Sequence, residues 1–417
     1  MARNFLFTSW GNPGNLNPLL TAARRLRARG HRVRFLGEPA HQQETIEAGF
    51  DALVWQRPRQ LTPPDPNSAD PAWEEIKTLV EQLMFGAAAD YAADTLAALR
   101  MEPTDALLTN DFIAGAAVAA ETLGIPYALL APHVSVRPLE GMPPCGSGFG
   151  ENLTLESQVT AKEKLTDLMN GCLGVFNNTR AIYGLPPLAH IFDHYDRADR
   201  VLIGLSPAFD FPATRLPDNL YYVGPLLDQP AWSQPWQAPW SGASERPRVL
   251  VSLSTSFQNQ AELLRRIVGV LGGMHLDAVV TVGPAMEKES LNAPANVTVL
   301  HSAPHDTVMK EVDLVITHGG HGTVTRTLLN GLPLLVIPMG RDQGDNAARV
   351  VARHAGLALQ DTAEPDQIAR AVQRLITEPR FRASAQRLGH AMKQHVESPV
   401  LVSEMEAIAS EQWWRTG

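Results

Sequence analysis

A glycine-rich turn at residues 318–323, with the sequence HGGHGT, places an imidazole and a hydroxyl among three glycines. Glycines let a backbone approach a ligand closely, and a helix start offers unpaired N–H groups and the positive end of its dipole. His318 and Thr323 can add side-chain hydrogen bonds to the same ligand. This chemistry suits a diphosphate, although the turn lacks the lysine of a Walker A loop and does not follow GxGxxG.

A carboxylate and an amide, Asp342 and Gln343, stand side by side in the next polar loop. Such a pair can bridge neighbouring hydroxyl groups of a sugar. A loop suited to phosphates followed by a loop suited to a polyol predicts a sugar-nucleotide site.

Two strand–loop–helix units position these residues. An apolar run at 312–317 (VDLVIT) predicts a buried parallel strand that ends at the glycine-rich turn. The pattern then predicts a helix to about Asn330, which Gly331 stops. A second strand is predicted at 334–338, and a further helix is predicted to start near Asp345.

Three motifs follow one another between residues 296 and 359, namely HGG(x)GT, GLPLLVIP and DQxxNA. Each motif alone is weak, but the ordered set resembles the donor-binding region of family 1 glycosyltransferases. The resemblance implies the GT-B architecture, an α/β fold class in which two Rossmann-like parallel-sheet domains face each other across a cleft.

The resemblance also implies roles for single residues on the donor side. Residues 254–256 (STS) stand where similar enzymes have SxGT. The expected diphosphate-binding residues are His318, Gly319, Gly320, Gly322, Thr323 and Thr255. The expected donor sugar-binding residues are Asp342 and Gln343.

Two residues are expected on the nucleoside side. Similar enzymes that use UDP-sugars often carry a glutamate for the ribose hydroxyls where this chain has Arg326. Because a guanidinium cannot accept a hydrogen bond from the ribose, Arg326 could instead pair with phosphate or be solvated. This weakens the case for UDP as the donor nucleotide and leaves dTDP open. His301 could contact the nucleobase, and a solvated loop histidine is an equal alternative.

The first strand–helix turn is where the resembling family usually places its catalytic base, a histidine or an aspartate. This chain has GNLNP at residues 14–18, so Asn15 stands in that place. An amide cannot accept a proton at neutral pH. Asparagine also favours helix N-caps, and that role is compatible with contact to the acceptor hydroxyl.

A carboxylate partners the catalytic histidine in the resembling family, and Asp111 matches its position at the end of the strand DALLT. With no histidine to orient, Asp111 could act as the base directly or through a water, or it could cap the helix predicted at 112–123. His133, in the Pro- and Gly-rich loop 131–150, is the second candidate base, although a lone loop histidine is more often structural.

Composition limits the broad class of the protein. The chain has 417 residues, 44% hydrophobic and 19% charged, which favours two globular domains. The net charge of -9 indicates no nucleic-acid partner, and two cysteines are too few for a disulfide framework. We see no signal-peptide pattern and no apolar run of the ~18–20 residues that cross a bilayer, so a cytoplasmic enzyme is expected.

Strand and linker patterns predict the domain boundaries. Residues 1–225 are expected to form the N-terminal acceptor-binding domain and 248–400 the donor-binding domain. The Trp- and Pro-rich stretch 226–247 between them is predicted to be a linker. The apolar segment 401–417 is expected to be a helix that crosses back to the first domain.

Taken together, these features predict an inverting, metal-independent glycosyltransferase. It would move a hexose from UDP-glucose or a dTDP-sugar to a hydroxyl or aromatic carbon of a small lipophilic acceptor of polyketide, macrolide or phenol/flavonoid type. No cofactor or metal is expected, since no DxD-type cluster is evident. The alternatives are a catalytically impaired homologue that binds sugar nucleotide or assists a partner enzyme, and a sugar-nucleotide epimerase.

Overall fold

The computed structural model describes residues 1–11, 13–57, 61–62, 71–227, 236–240, 245–253, 260–283 and 291–411. In this part of the chain the strands form two parallel sheets, each flanked by helices, as the predicted α/β class requires. None of the described helices combines the length and the apolar character that a membrane-spanning helix needs.

The first sheet has seven strands in the order β3-β2-β1-β4-β5-β6-β7. Its strands are β1 (Asn4–Thr8), β2 (Arg32–Gly37), β3 (Asp51–Val54), β4 (Ala106–Asn110), β5 (Tyr127–Ala131), β6 (Arg200–Ile203) and β7 (Leu220–Tyr222). Its helices are α1 (Pro13–Ala28), α2 (Gln42–Glu47), α3 (Pro71–Thr78), a π-helix (Leu79–Gly86), α4 (Ala88–Met101), α5 (Ala114–Leu123), α6 (Leu155–Gly171), α7 (Leu173–Ile182) and α8 (Asp193–Asp196), with 3-10 turns at Pro39–His41 and Gly150–Leu153.

The second sheet has six strands in the order β10-β9-β8-β11-β12-β13. Its strands are β8 (Arg248–Ser252), β9 (Asp277–Thr281), β10 (Val297–Leu300), β11 (Leu314–Thr317), β12 (Leu334–Val336) and β13 (Gly356–Ala358). Its helices are α9 (Ala261–Gly272), α10 (His305–Val308), α11 (His321–Leu329), α12 (Gln343–Ala352), α13 (Pro365–Thr377) and α14 (Pro379–Val396), followed by α15 (Val400–Glu411).

Both sheets reverse their strand order at one point. In the first sheet the reversal lies between β1 and β4, and in the second it lies between β8 and β11. Open parallel sheets bind ligands beyond the carboxyl ends of the strands at such a point. The loops that follow β4 and β11 carry Asp111 and His318, so the topology places predicted site residues at both reversal points.

The central strands are buried on both faces, which explains their continuous apolar runs. Every residue of β4, β5 and β11 is buried. In a parallel sheet covered by helices, strands lose the alternation of apolar and polar residues. Burial of these strands therefore stabilises both halves and holds the loops at their ends in place.

Helix α15 leaves the second half of the chain and packs on the first sheet's helix layer. Leu401, Met405 and Ile408 are fully buried in one cluster with Leu16 and Leu20 of α1. Arg200 on β6 also forms an ion pair with Glu404 at 2.5 Å. The chain thus passes between the two halves a second time, after α14.

The two passages between the halves touch each other. Gly224 has a φ of +76°, and a Cβ atom at this glycine would lie 1.8 Å from the carbonyl oxygen of His395. Ser206 Oγ lies 3.0 Å from His395 Nδ1. Within the predicted linker 226–247, Trp236 and Trp240 donate their indole N–H groups to the carboxylate of Glu311 in the second half, at 2.8 and 3.0 Å.

Several predicted element boundaries differ from the structure. Helix α1 begins at Pro13, so Asn15 lies inside its first turn rather than at an N-cap. Helix α12 begins at Gln343 rather than near Asp345. The apolar pattern over residues 73–99 predicts one long helix, but a π-helix lies between α3 and α4. Local sequence periodicity does not distinguish i+4 from i+5 hydrogen bonding, so it could not predict this interruption.

Candidate functional site

A cavity of about 370 Å³ lies between the two halves, beyond the carboxyl ends of both sheets. Side chains from both halves line it: Trp10, Asn15, Ile76, Leu79, Phe112, His133, Val136, Cys145 and Leu165 from the first, and Ser252, Ala303, Pro304, His305, Asp306, His318, His321, Thr323, Arg326, Asp342 and Gln343 from the second. Another cavity, of about 520 Å³ beside Arg137 and Arg215, contains none of the predicted site residues.

The predicted diphosphate turn depends on its glycines. Gly319 has a φ of +100°, and a Cβ atom there would meet Val336 Cγ1 at 2.8 Å. A Cβ atom at Gly320 would lie 2.6 Å from His318 Nε2. Helix α11 starts directly after these glycines, so its first N–H groups and positive dipole end lie at the cavity. The backbone of the turn can therefore approach a bound anion closely. Larger residues in place of these glycines would block that approach.

His318 is a half-buried imidazole at the cavity wall and is neutral near pH 7. Burial is the main reason that its pKa is lowered to about 4, against the opposing effects of Asp342 and of a hydrogen bond with the backbone of Ser252. A nearby diphosphate would favour the charged form of the ring. His318 can therefore gain a proton as an anionic ligand binds.

The predicted sugar-binding loop is organised by internal hydrogen bonds. Asp342 Oδ2 accepts from Asn346 Nδ2 at 3.0 Å, and Gln343 Oε1 accepts from the backbone N–H of Met339 at 2.8 Å. Asn346 Nδ2 also donates to the carbonyl of Gly319 at 2.9 Å. Asn346 thus joins the sugar loop to the diphosphate turn. The DQxxNA motif contains it, but we expected only the first two residues of that motif to belong to the site.

On the acceptor side, Asn15 and His133 line the cavity, whereas Asp111 lies behind them. Asp111 is only 1% exposed. Its Oδ1 lies 3.1 Å from His133 Nε2, and His133 Nδ1 lies 2.9 Å from the carbonyl oxygen of Val134. Since both ring nitrogens face acceptors, the ring is doubly protonated. Burial alone would lower the pKa of His133, but the charge and hydrogen bond of Asp111 raise it to about 9.

Two expectations for Asp111 are wrong. We expected this carboxylate to have no histidine that it could orient, yet His133 reaches it from the loop after the neighbouring strand β5. We also considered Asp111 as a helix cap, but α5 begins at Ala114, and Asn110 Oδ1 accepts from the N–H of Phe112 instead. Asn110 Nδ2 donates to Asn15 Oδ1 at 3.3 Å, which holds Asn15 at the cavity wall.

On the nucleoside side, the structure contradicts the solvated alternative for Arg326 and matches the solvated alternative for His301. Arg326 neither faces solvent nor stands alone, because its Nη1 lies 2.9 and 2.7 Å from the two carboxylate oxygens of Asp306. His301 is exposed, lies 3.1 Å from the carbonyl oxygen of Gly283, and does not line the cavity. Thr255 lies outside the described residues.

Contacts across the cleft hold the halves together. The carboxylate of Asp345 accepts from the backbone N–H groups of Gly146 and Gly148, at 2.8 and 3.1 Å. Burial raises the pKa of Asp345 to about 6, although these hydrogen bonds oppose the shift. Arg349 donates to Asp210 at 2.8 Å, and both side chains are 1% exposed. Within the described ranges, no group of three or more His, Cys, Asp or Glu residues could hold a metal ion.

The chain resembles several known proteins. Residues 265–408 match the family described as Erythromycin biosynthesis protein CIII-like, C-terminal domain. The chain is 30% identical over 411 residues to 4'-demethylrebeccamycin synthase of Lentzea aerocolonigenes, covering 93% of this chain and 94% of the relative.

Solved structures share the same fold. A calicheamicin glycosyltransferase superposes with a TM-score of 0.78 at 20% identity, covering 98% of each chain. A spinosyn rhamnosyltransferase complexed with thymidine diphosphate superposes with a TM-score of 0.68 at 20% identity, covering 97% of this chain and 100% of the other.

The diphosphate turn leads to a first prediction. We expect His318→Ala to weaken UDP and dTDP binding roughly 10- to 100-fold, because one hydrogen bond to a charged group is lost. Isothermal titration calorimetry measures this change. His354→Ala, in the same half and outside the cavity, serves as the control and should bind as the wild type does. Unchanged affinity in His318→Ala would exclude contact between His318 and the diphosphate.

The His133–Asp111 pair leads to a second prediction. Because folding raises the pKa of His133 from 6.5 to about 9, its stabilising contribution is complete below pH 6.5 and is lost as the pH rises through 9. We expect the free energy of unfolding to fall between pH 7 and 9.5 in the wild type, and to fall less in His133→Asn. Urea denaturation at both pH values tests this, and parallel losses in the two proteins would contradict it.

Proposed function

Because this chain belongs to the family 1 nucleotide-sugar glycosyltransferases, which have the GT-B fold, we propose that it is an inverting, metal-independent hexosyltransferase. The donor is UDP-glucose or a dTDP-sugar, and the acceptor is a small lipophilic molecule of polyketide, macrolide or phenol/flavonoid type. One observation carries the proposal: the diphosphate turn, the sugar loop and the apolar side chains of the first half line the same cavity.

The leaving group determines what the donor half must do. As the acceptor oxygen or carbon attacks the anomeric carbon, the bond to the diphosphate oxygen breaks, its electron pair stays with the nucleoside diphosphate, and the acceptor's proton passes to water. The N–H groups of the 319–323 turn, the dipole of α11 and the side chains of His318 and Thr323 are suited to stabilise that growing charge. A single preorganised donor of this kind contributes roughly 2.7–4 kcal/mol to lowering a barrier.

The wall formed by the first half favours a lipophilic acceptor. Trp10, Ile76, Leu79, Phe112 and Leu165 contribute apolar surface to the cavity. Ligand sites with largely apolar walls and few polar groups bind molecules of this kind. A spinosyn rhamnosyltransferase complexed with spinosyn aglycone shares the fold of this chain, which supports an aglycone as the acceptor.

The polar groups beside the acceptor favour an acidic nucleophile. Asn15 cannot take a proton, and His133 already carries one on each ring nitrogen at neutral pH. The imidazolium of His133 instead stabilises a partly ionised acceptor oxygen, and Asp111 keeps that charge in place. A phenolic hydroxyl or a nucleophilic aromatic carbon needs less help from a base than a simple alcohol does.

Asn15 stands where similar enzymes have their catalytic base. This replacement favours the second candidate, a catalytically impaired homologue that binds sugar nucleotide or assists a partner enzyme. The family places the chain among transferases rather than epimerases. The cavity reaches from the donor turn to the acceptor wall, which favours transfer over binding alone.

The test of the proposal is a transfer assay with UDP-glucose or dTDP-glucose and a panel of phenolic and macrolide aglycones, with and without EDTA. We expect one donor–acceptor pair to give a β-glycoside from the α-linked donor, at a rate that EDTA leaves unchanged. Mass spectrometry and proton NMR detect the product and its anomeric configuration. An α-linked product would refute inversion, and a rate that EDTA abolishes and Mg²⁺ restores would refute metal independence. Nucleotide binding without transfer would favour the impaired homologue.

Asp111 leads to a separate prediction. We expect Asp111→Asn to lower kcat by about 100-fold or more, because His133 then loses the carboxylate that keeps it charged, and one preorganised electrostatic group contributes about 10²–10³-fold to kcat. The dissociation constant for the nucleotide should remain close to the wild-type value. Initial rates and calorimetry separate the two effects. Asn15→Ala should likewise keep its donor affinity, and wild-type turnover in Asp111→Asn would remove Asp111 from the mechanism.

A further inference from the structure

The strand order divides the donor site into two sides. In the second sheet β11 lies between β8 and β12. The diphosphate turn follows β11, and the sugar loop with Asp342 follows β12. The nucleoside must then extend from the diphosphate towards the opposite neighbour, β8. The residue at the end of β8 is Ser252, whose Oγ lies 3.3 Å from Nε2 of His305 on α10.

Helix α10 therefore lies on the nucleoside side of the diphosphate turn. Its Asp306 lines the cavity, and so does Arg326, which is one helical turn after Thr323 on α11. Arg326 lies 2.9 and 2.7 Å from the two oxygens of Asp306, and the side chains are 12% and 36% exposed. The guanidinium thus fixes the position of a partly exposed carboxylate at the cavity wall.

The charge of this pair suits a site beside a diphosphate. An isolated carboxylate would repel the two phosphates, whereas the Arg326–Asp306 pair is neutral as a unit. A carboxylate has about four lone-pair positions, so binding the guanidinium leaves Asp306 able to accept from hydroxyl groups. Two neighbouring hydroxyls of one sugar ring are a suitable partner for its two oxygens.

We propose that Asp306, positioned by Arg326, accepts hydrogen bonds from the ribose hydroxyls of the donor nucleotide and makes the enzyme selective for ribonucleoside over 2'-deoxyribonucleoside diphosphates. The inference rests on the proposed function, since it assigns the nucleoside end of the same donor site. It also changes the meaning of Arg326: this residue does not replace a ribose-binding carboxylate but holds one that comes from another helix.

UDP and 2'-deoxy-UDP differ only in the 2'-hydroxyl, so their affinity ratio isolates this contact. We expect calorimetry to show that the wild type binds UDP about tenfold more tightly than 2'-deoxy-UDP, the effect of one hydrogen bond to a charged group. In Asp306→Asn the ratio should fall to about threefold or less, because a neutral amide oxygen is a weaker acceptor than a carboxylate. Because each ratio compares two ligands on one protein, a general weakening of the variant cancels.

Two further variants complete the test. Arg326→Gln removes the group that orients Asp306 and should lower the ratio, while the exposed Asp366→Asn removes one carboxylate from the same half and should keep the wild-type ratio. Equal affinity of the wild type for both nucleotides, or a tenfold ratio that persists in Asp306→Asn, would overturn the inference and leave the proposed function intact. Failure of the wild type to bind either nucleotide would instead contradict the donor site itself.

Discussion

The side-chain amide of Asn346 sets the spacing on which the donor site depends. It is fully buried and donates both to the carbonyl of Gly319 and to the carboxylate of Asp342. Gly319 lies just before α11 and Asp342 just before α12, so one side chain fixes the distance between two helix starts. Leaving a buried hydrogen-bond donor without a partner costs roughly 1–3 kcal/mol. These hydrogen bonds therefore hold the two loops together even without a ligand. A sugar nucleotide therefore meets loops that are already arranged.

The acceptor wall is held against the donor wall by charged groups that have left water. Arg349 and Asp210 form a pair from opposite halves, and breaking such a buried pair costs about 3–5 kcal/mol because it leaves one charge uncompensated. Asp345 binds the loop around Gly146 from the same helix, α12, that begins with Gln343. The helix that presents the sugar-binding amide thus also anchors a loop of the acceptor wall, so the geometry of both substrates depends on α12.

Sequence reasoning reached the family and the fold class, and both predictions are confirmed. It succeeded where order along the chain carries the information, as in the strand, glycine turn and helix around His318. It failed where a contact depends on strand register. Asn110 pairs with Leu130 in neighbouring strands, which brings Asp111 close to His133, although no local pattern links them. The one signal that could have suggested this pair is that β4 and β5 are successive strands, whose carboxyl ends meet at the same edge of a parallel sheet.

The contact between Gly224 and His395 has a mechanical consequence. The chain passes between the halves twice, once after β7 and once between α14 and α15, and these two passages touch at this glycine. Because both chain connections lie together, they allow the halves to rotate about that place once the contacts across the cleft separate, but they oppose sliding. Such a rotation would be a hinge motion with its axis near Gly224 and His395. A small rotation there produces its largest displacement at the cavity mouth, where substrates enter and products leave.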